Sequence, residues 1–369
     1  MRLMNSSQNN LLQKNSFKKK SSLDLDLLAS YDYELDEKLV AQNPTKNRSD
    51  SRLFHFQKGK INHYQFKGLP QLLNKNDVLI INSSQTIKAR LFAQKITGAK
   101  IEILLDSVIG DYEFTAITKS NRTVKVNEEY FLLNQAGKKT DCKIQVLQKK
   151  EDGRVLLKGD IEVSEMHQKF GHVPLPPYIK RSDTSLDVQR YQTIYAKSGF
   201  SVAAPTAGLH FSSALLEQIK NKGVEIIEIV LDVGLGTFKP IHKSQINDHQ
   251  MHFENYQICE ASAKKINQAM KKNKRIIAVG STSTRALESN YLLHSRIKAG
   301  AFKTNLFIKP NFKFKVINAM ITNFHVPKST LVIMVASFMG YDEWRRAYAS
   351  ATAKKYRFFS YGDCMFIEP

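Results

Sequence analysis

The chain has 369 residues, 42% of them hydrophobic, which is more than one small domain needs. No apolar run has the length of a membrane span, and three widely spaced cysteines argue against a disulfide framework or a cysteine-based zinc site, so we expect a soluble cytoplasmic protein. The net charge of +21, from 55 basic and 34 acidic residues, favours a polyanionic partner such as nucleic acid, although genomic base bias can also enrich lysine.

The first 28 residues are predicted to form a disordered basic tail. The stretch MRLMNSSQNNLLQKNSFKKKSSL has no acidic residue and too few apolar side chains for a core. A transit peptide would have a similar composition, but the single arginine and the weak amphipathicity disfavour that alternative. Both interpretations place the segment outside the folded core.

The next segments predict a short helix and a hairpin. YDYELDEKLVAQNP, from residue 31, predicts a helix that ends before Pro44. SRLFHFQKGKINHYQF then alternates apolar positions around Lys58-Gly59-Lys60, which is typical of a β-hairpin.

Short β-rich runs follow between residues 78 and 160. They are VLIIN, ARLFAQKI, KIEILLDSV, YEFTAIT, TVKVN, KIQVLQK and RVLLKG. Because Gly, Asn and Asp turns separate these runs and helical signals are few, they predict a small antiparallel barrel.

After Gly171, predicted strands alternate with polar loops and helices. FSVAAPTAGLHF leads into SSALLEQIKNKG, a helix that Ser212 or Ser213 can cap and Gly223 can end. The further strands are EIIEIVLDVG, RIIAVG and KVINAMITNF, and the further helices are EASAKKINQAMKKN, STSTRALES and LVIMVASFM. This alternation indicates an α/β layered domain, so PTAGLH, VGLGTF, GSTSTR and TNFHVPKST should converge at the carboxyl ends of the strands.

Two of these loops resemble nucleotide motifs only weakly. VGLGTF lacks the third glycine of a dinucleotide fingerprint, and HVPKST lacks the glycines that cradle phosphate. GSTSTR starts a helix after a strand and contains Arg285, which favours a bound carboxylate or phosphate. The alternative is a well-capped helix without a ligand.

Histidines lie in or beside these loops. His249 and His252 are three residues apart in DHQMHFE, a spacing that could place them on one helical face. Metal ligation is an alternative, but no further His or Cys has ligand spacing, so hydrogen bonding to a polar substrate is favoured. A lone histidine is more often structural, whereas His210, His252 and His325 near strand ends together favour a site.

Eight ordered motifs resemble those of the S-adenosylmethionine:tRNA ribosyltransferase-isomerases of queuosine biosynthesis. They are GHVPLPPYI, YQTIYA, VAAPTAGLHF, VGLGTFKP, DHQMHFE, GSTSTRALES, ITNFHVPKSTL and YRFFSYGDCMFI. The resemblance covers nearly everything after Tyr31. It implies an α/β fold, an α/β/α layered sandwich of residues 29–65 and 160–369 with a small antiparallel β-barrel inserted at residues 66–159.

The resemblance also implies a reaction. S-adenosylmethionine donates its ribosyl portion to the aminomethyl group of a 7-deazaguanine at the wobble position of tRNA, which gives epoxyqueuosine in tRNA, adenine and methionine. S-adenosylmethionine is then a consumed co-substrate, and we expect no cofactor, no metal, no membrane partner and a monomer. Since the sulfonium acidifies the adjacent ribose methylene, the chemistry needs a base, a proton donor for adenine and dry walls around reactive intermediates.

The resemblance and the loops together indicate the site residues. The catalytic candidates are His210, placed first for proton transfer, then His252 and His325, with the hydroxyl of Thr206. The substrate-binding candidates are Asn82, Arg90, Tyr178, Pro205, Ala207, Gly208, Gly234, Gly236, Thr237, His249, Glu254, Ser281, Thr282, Ser283, Arg285, Asn323 and Ser329. Small residues in PTAGLHF are expected to let the backbone approach the ligand, and Pro176 and Pro177 to shape a wall.

The chain departs from the family pattern in two places. NSSQTIKARL has Gln85 and Lys88 where the family usually has arginine and proline. Asp232 stands where a histidine is frequent. A tRNA-binding relative with decayed catalysis is therefore an alternative hypothesis, and a generic methyltransferase is another, disfavoured because no glycine-rich methyltransferase loop is present.

Overall fold

Seventeen strands form among the residues that the computed structural model describes, which are 24–234, 241 and 243–369. They are β1 (Arg52–Gln57), β2 (Lys60–Gln65), β3 (Val78–Asn82), β4 (Ser84–Thr86), β5 (Arg90–Gln94), β6 (Lys100–Val108), β7 (Glu113–Ser120), β8 (Glu129–Leu133), β9 (Lys139–Lys149), β10 (Val155–Gly159), β11 (Ser198–Ser201), β12 (Glu225–Asp232), β13 (Glu254–Ile258), β14 (Ile276–Val279), β15 (Gly300–Thr304), β16 (Ala319–Asn323) and β17 (Cys364–Glu368). Nine of them build one mixed sheet, six close a barrel, and β4 pairs with β11.

The helices follow the polar loops. They are α1 (Leu69–Leu72), α2 (Val163–Phe170), α3 (Ser185–Arg190), α4 (Ser213–Asn221), α5 (Glu260–Lys271), α6 (Ser281–His294), α7 (Thr330–Met339) and α8 (Tyr341–Ala353). As predicted, Ser212 caps α4, and Gly223 follows its end with a φ of +87°. Along the described ranges, no helix is both long and apolar enough to cross a bilayer.

The large sheet has the strand order β15-β13-β12-β3-β14-β16-β17-β1-β2. Its centre consists of β12, β3, β14 and β16, which run parallel and therefore end at the same edge. On one side β17 is antiparallel to β16 and parallel to β1, so that Leu53 pairs with Cys364. The chain thus inserts β17 between its first hairpin and the parallel centre.

Alternate side chains of β3 contribute to two hydrophobic cores on opposite faces of the sheet. Val78 and Ile80 pack in the core that contains side chains of α5 to α8. Leu79 and Ile81 pack in the core that contains side chains of α1 and α4. Since a strand points successive side chains to opposite faces, this arrangement is an α/β/α sandwich, and the predicted fold class is confirmed.

The barrel consists of β5 to β10, joined in the order β10-β7-β6-β5-β8-β9 and closed by the antiparallel pairing of β9 with β10. The structure corrects two predicted details. VLIIN is β3 of the large sheet, because its side chains are buried on both faces, as in a central parallel strand. TVKVN is a loop, and the strand follows it as β8. The barrel strands therefore begin at Arg90, later than the predicted residue 66, while the division into domains stays a prediction.

The N-terminal segments also differ from the prediction. Residues 24–28, assigned to a disordered tail, belong to the fold, because Leu27 pairs with Gln245 and Leu28 is buried in the main core. Residues 1–23 lie outside the described residues. The helix predicted before Pro44 is only a 3₁₀ turn, Glu37–Leu39, since the chain becomes extended directly after it.

The predicted hairpin is confirmed as β1 and β2, which are joined by Lys58 and Gly59 with φ of 45° and 78°. The strand predicted as KVINAMITNF is shorter than expected. Its first residues lie outside β16 because the buried carboxylate of Glu288 accepts the backbone N–H groups of residues 315–317.

Candidate functional site

A cavity of about 560 Å³ lies at the carboxyl edge of the parallel strands. Nine of the predicted site residues line it, and they come from four separate motifs. These are Tyr178, Pro205, Thr206, Ala207, Ser281, Thr282, Asn323, His325 and Ser329. The strand-end rule therefore brings PTAGLH, GSTSTR and TNFHVPKST to one place, whereas Gly236 and Thr237 of VGLGTF lie outside the described residues.

The N-terminus of α6 forms one wall of the cavity. Gly280, with a φ of +95°, turns the chain from β14 into this helix, and no side chain caps the helix. The side chains of Ser281 and Thr282 border the cavity, and neither hydroxyl is used as a cap. Free N–H groups and the positive end of the helix dipole favour an anionic ligand group here.

Two other residues of GSTSTR do not line this cavity. Ser283 donates its hydroxyl to the carbonyl of Val279 at 2.8 Å, so its side chain bonds back to the end of β14. Arg285 lies one turn further along α6, with Nη1 3.0 Å from Oε2 of Glu254, and both side chains are buried. The expected combination of Arg285 with these hydroxyls at one anion is therefore wrong.

His249 and His252 border the recess that Arg285 and Glu254 line, apart from the main cavity. They do not share a helical face, because the 3₁₀ turn Ile246–Asp248 ends before them. Within the described ranges, no three His, Cys, Asp or Glu side chains are grouped as metal ligands. The expectation of no resident metal stays a prediction.

His325 is the predicted histidine that lies on the main cavity. Its Nε2 is 2.8 Å from the hydroxyl of Thr322, while Nδ1 has no partner among the described residues. Its backbone is held by Tyr348, which accepts the N–H at 3.1 Å, and by Tyr33, which donates to the carbonyl. Burial lowers the pKa of His325 to about 3, so the ring is neutral at pH 7 and Nδ1 is available to a ligand.

His210, the first candidate for proton transfer, lies behind the cavity wall. Its Nδ1 is 2.8 Å from the hydroxyl of Ser51, and its Nε2 is 3.1 Å from Nδ2 of Asn323. The ring also packs on Phe66, with centroids 5.2 Å apart. Burial, with a smaller effect of nearby arginines, lowers the pKa of His210 to about 3. Because the protein occupies both ring nitrogens, the geometry does not support proton transfer by His210.

Two predicted substrate-binding residues hold the fold together instead. The side-chain amide of Asn82 bonds both backbone groups of Leu231, at 2.9 and 3.0 Å, and so ties β3 to β12. Arg90 of the barrel pairs with Glu102 at 3.0 Å and donates to the carbonyl of Leu175 at 2.7 Å. Neither side chain lines the cavity, so the geometry gives no support to either assignment as a ligand contact.

Gly208, Ser329 and Gly234 also differ from their predicted roles. A Cβ on Gly208 would lie 2.1 Å from the hydroxyl of Tyr195, so packing against tyrosine, not approach to a ligand, requires this glycine. The hydroxyl of Ser329 lies at the cavity but caps α7, accepting the N–H of Val332 at 3.2 Å. Gly234 borders a different groove, between the barrel and the sheet.

Thr322 and Ser360 are polar residues of the cavity that were not predicted. Thr322 is a hydroxyl within the otherwise apolar run AMIT, three residues before His325, and that interruption was the available signal. Ser360 comes from the C-terminal motif, to which no role was assigned, and its hydroxyl lies 2.6 Å from that of Tyr178. Of the family departures, Asp232 accepts the N–H of Phe200 in β11 at 2.8 Å, and Gln85 is exposed. Both lie off the cavity.

Comparison with known proteins gives consistent matches over nearly the whole chain. The profile of a family described as queuosine biosynthesis protein matches residues 28–367. An S-adenosylmethionine:tRNA ribosyltransferase-isomerase of Francisella philomiragia is 43% identical over 341 residues, covering 91% of this chain and 98% of the relative. One from Legionella pneumophila is 43% identical over 337 residues, with the same coverage. The crystal structure of an S-adenosylmethionine tRNA ribosyltransferase of Thermotoga maritima has a TM-score of 0.52 and 33% identity, covering 92% of this chain and 99% of that one.

Proposed function

This chain belongs to the family of queuosine biosynthesis proteins, and we propose that it is an S-adenosylmethionine:tRNA ribosyltransferase-isomerase. It transfers and isomerises the ribosyl portion of S-adenosylmethionine onto the aminomethyl-7-deazaguanine wobble base of tRNA, with release of adenine and methionine. The observation that carries this proposal is the gathering of four separate motifs around one cavity of about 560 Å³. Ligand pockets of small molecules typically have volumes of about 300–1,000 Å³.

The N-terminus of α6 is the proposed site for the carboxylate of the methionine portion. The hydroxyls of Ser281 and Thr282, together with the first N–H groups of the helix, supply donors for an anion. The apolar side chains of Val233, Phe324 and Leu331 line the same cavity. They can exclude water from the reactive intermediates.

His325 is the proposed proton-transfer residue. The ring is neutral at pH 7, so Nδ1 has a lone pair that can take the proton from the ribose methylene beside the sulfonium. The same nitrogen can then give this proton to the departing adenine, which restores the neutral ring. The hydroxyl of Thr322 accepts the Nε2–H in both states of the ring and so keeps Nδ1 directed to the reaction.

The barrel is the proposed contact for the tRNA backbone. Lys100, Lys119 and Arg122 line an open cleft of about 960 Å³ there. Binding to the phosphates would release counterions, so tRNA affinity should fall steeply between low and physiological salt. A variant with all three side chains neutralised should reduce the slope of log K against log salt by about 1 for each phosphate that is no longer neutralised. An unchanged slope would remove the cleft from the interface.

One assay tests the function. The protein is incubated with S-adenosylmethionine and tRNA that carries the aminomethyl base, and the nucleosides and small products are identified. Adenine, methionine and the epoxide-bearing nucleoside support the proposal. S-adenosylhomocysteine would identify a methyltransferase, and tRNA binding without any product would identify a relative with decayed catalysis.

The geometry favours the active enzyme over the decayed relative. Asp232 and Gln85, which motivated that alternative, lie away from the cavity, while His325, Thr206 and the α6 N-terminus remain on it. We propose that the reaction needs no cofactor, since S-adenosylmethionine is consumed. The cytoplasmic location and the monomeric state stay predictions.

A further inference from the structure

We propose that Oδ1 of Asn323 accepts a hydrogen bond from an amino group of a substrate. His210 is then the positioning residue that holds the Asn323 amide in this orientation. The inference rests on the proposed function, because it concerns recognition within the same cavity. It assigns to His210 a role through Asn323 in place of proton transfer.

The amide of Asn323 is only half satisfied by the protein. The residue ends β16, lines the cavity and is 2% exposed. Its Nδ2 donates to the carbonyl of Phe359 at 3.0 Å and faces Nε2 of His210 at 3.1 Å, which uses both of its hydrogens. Its Oδ1 is buried and has no partner among the described residues. An unpaired buried acceptor destabilises the fold, so its presence in a residue that lines a ligand cavity indicates that a ligand completes it.

The orientation of this amide does not depend on an arbitrary choice between oxygen and nitrogen. The carbonyl of Phe359 can only accept, so the group that faces it must be Nδ2. Nε2 of His210 is then an acceptor, and the ring proton lies on Nδ1, which donates to Ser51 at 2.8 Å. The neutral ring that burial imposes is consistent with this arrangement. A flipped amide would place Oδ1 against the carbonyl oxygen of Phe359, where two acceptors would repel each other.

The chemistry of Oδ1 restricts the ligand group to a donor. A carboxylate, a carbonyl or a ring nitrogen with a lone pair would be repelled, whereas an amine or ammonium would supply the missing hydrogen. The proposed reaction offers three such groups: the 6-amino group of adenine, the α-ammonium of the methionine portion, and the aminomethyl group of the tRNA base. All three share the donor chemistry, and the experiment separates them.

The experiment measures dissociation constants for pairs of ligands that differ only in the donor. The first pair is S-adenosylmethionine and its analogue with hydrogen in place of the 6-amino group. The second pair is S-adenosylmethionine and its analogue without the α-amino group. The third pair is tRNA with the aminomethyl base and tRNA with a methyl group in place of the aminomethyl group, which has no N–H or O–H donor. In one pair, the wild-type protein should bind the amino ligand with a dissociation constant about ten-fold lower or more. This is the usual effect of one hydrogen bond to a buried or charged group.

Variants then assign that preference to Asn323. Asn323→Ser and Asn323→Ala should reduce the ratio in that pair to within about two-fold and leave the ratios of the other pairs unchanged. His210→Gln keeps an acceptor for Nδ2 and should retain the preference, while His210→Phe removes the acceptor and should lower it. This contrast separates positioning from a purely structural role, because a general loss of stability would weaken both members of each pair equally.

The outcomes distinguish the inference from the function. If the wild-type protein makes adenine and methionine but shows no preference in any pair, Oδ1 is satisfied by water and only the inference fails. A preference that persists in both Asn323 variants overturns it as well. If the wild-type protein binds none of the ligands, the proposed function and the inference fail together.

Discussion

The regions around His210 and His325 contain histidines with the same burial and the same shift, yet they serve the cavity differently. In both cases burial lowers the pKa to about 3. The protein occupies both nitrogens of His210, through Ser51 and Asn323, but only one nitrogen of His325, through Thr322. A shifted pKa therefore marks a buried histidine, and the unoccupied nitrogen distinguishes the one that can react.

The largest effect is expected from His325→Gln. The variant lacks the Nδ1 nitrogen, so its single-turnover rate should fall by roughly 100-fold to 10,000-fold, the usual range for general acid–base catalysis. The fold should stay intact. The matched control is His167→Gln in α2, which replaces another buried histidine, bonded through Nδ1 to the carbonyl of Lys88. If the control slows turnover as much as His325→Gln does, the effect is general to buried histidines, and the assignment of proton transfer to His325 fails.

His210→Gln should mainly reduce stability. The bond to Ser51 is lost or weakened, and a buried polar group without its partner costs about 1–3 kcal/mol in the free energy of unfolding. The single-turnover rate should stay within about ten-fold of wild type, because Gln can still accept from Asn323. Melting and single-turnover rate are measured on one preparation. A stable variant with a rate reduced several hundred-fold would return His210 to the catalytic assignment.

Thr322→Val should have a smaller effect on rate. Without the hydroxyl, Nε2 of His325 has no partner, so the orientation of the ring is lost and we expect a decrease of about ten-fold. Thr322→Ser is the control, since it keeps the hydroxyl and should stay near the wild-type rate. The contrast is measured as single-turnover rate across pH. Equal rates of the Val and Ser variants would show that Thr322 does not position the ring.

The two histidines should differ least in their effect on stability at low pH, because both should contribute equally to the pH dependence of the free energy of unfolding. Both pKa values lie near 3 in the folded protein, below the unfolded value of 6.5. The unfolded chain therefore binds more protons, and stability falls as pH decreases from 6.5 towards 3. Each histidine contributes a slope of up to about 1.4 kcal/mol per pH unit.

Denaturant titrations between pH 7 and pH 5 check this expectation. His210→Gln and His325→Gln should each reduce the slope by the same amount, although only His325→Gln should lower the turnover rate by more than about 100-fold. A reduced slope in only one variant would mean that one of the rings is already protonated in the fold.

The sequence predicted which loops meet at one cavity better than it predicted the contacts of the individual side chains. Alternating strands and helices were enough to bring Ser281, Thr282, Asn323 and His325 to one edge, because parallel strands end together. Which nitrogen of a histidine is occupied depends on residues far apart in the chain, such as Ser51 for His210, and no local pattern contains that information.

Several polar residues were predicted as ligand contacts although their side chains bond to backbone groups of the protein. Asn82 bonds across to β12, and Ser329 caps α7, so each has a backbone partner that sequence alone does not reveal. Gly208 was attributed to a ligand approach, yet the hydroxyl of Tyr195 fills the space beside it. The presence of a barrel was predicted correctly, but its first strand was placed too early in the chain. A short apolar run such as VLIIN fits a barrel strand and a central strand of a large sheet equally well.

The position of β17 has a consequence for how the protein is made. The hairpin of β1 and β2 leaves the ribosome early, yet it reaches the parallel centre of the sheet only through β17, where Leu53 meets Cys364. During synthesis this hairpin must wait as a separate unit with an unpaired edge until β17 emerges. Unpaired strand edges in incomplete chains are prone to aggregate. The most vulnerable stage of biosynthesis should therefore be the interval between the emergence of this hairpin and the insertion of β17.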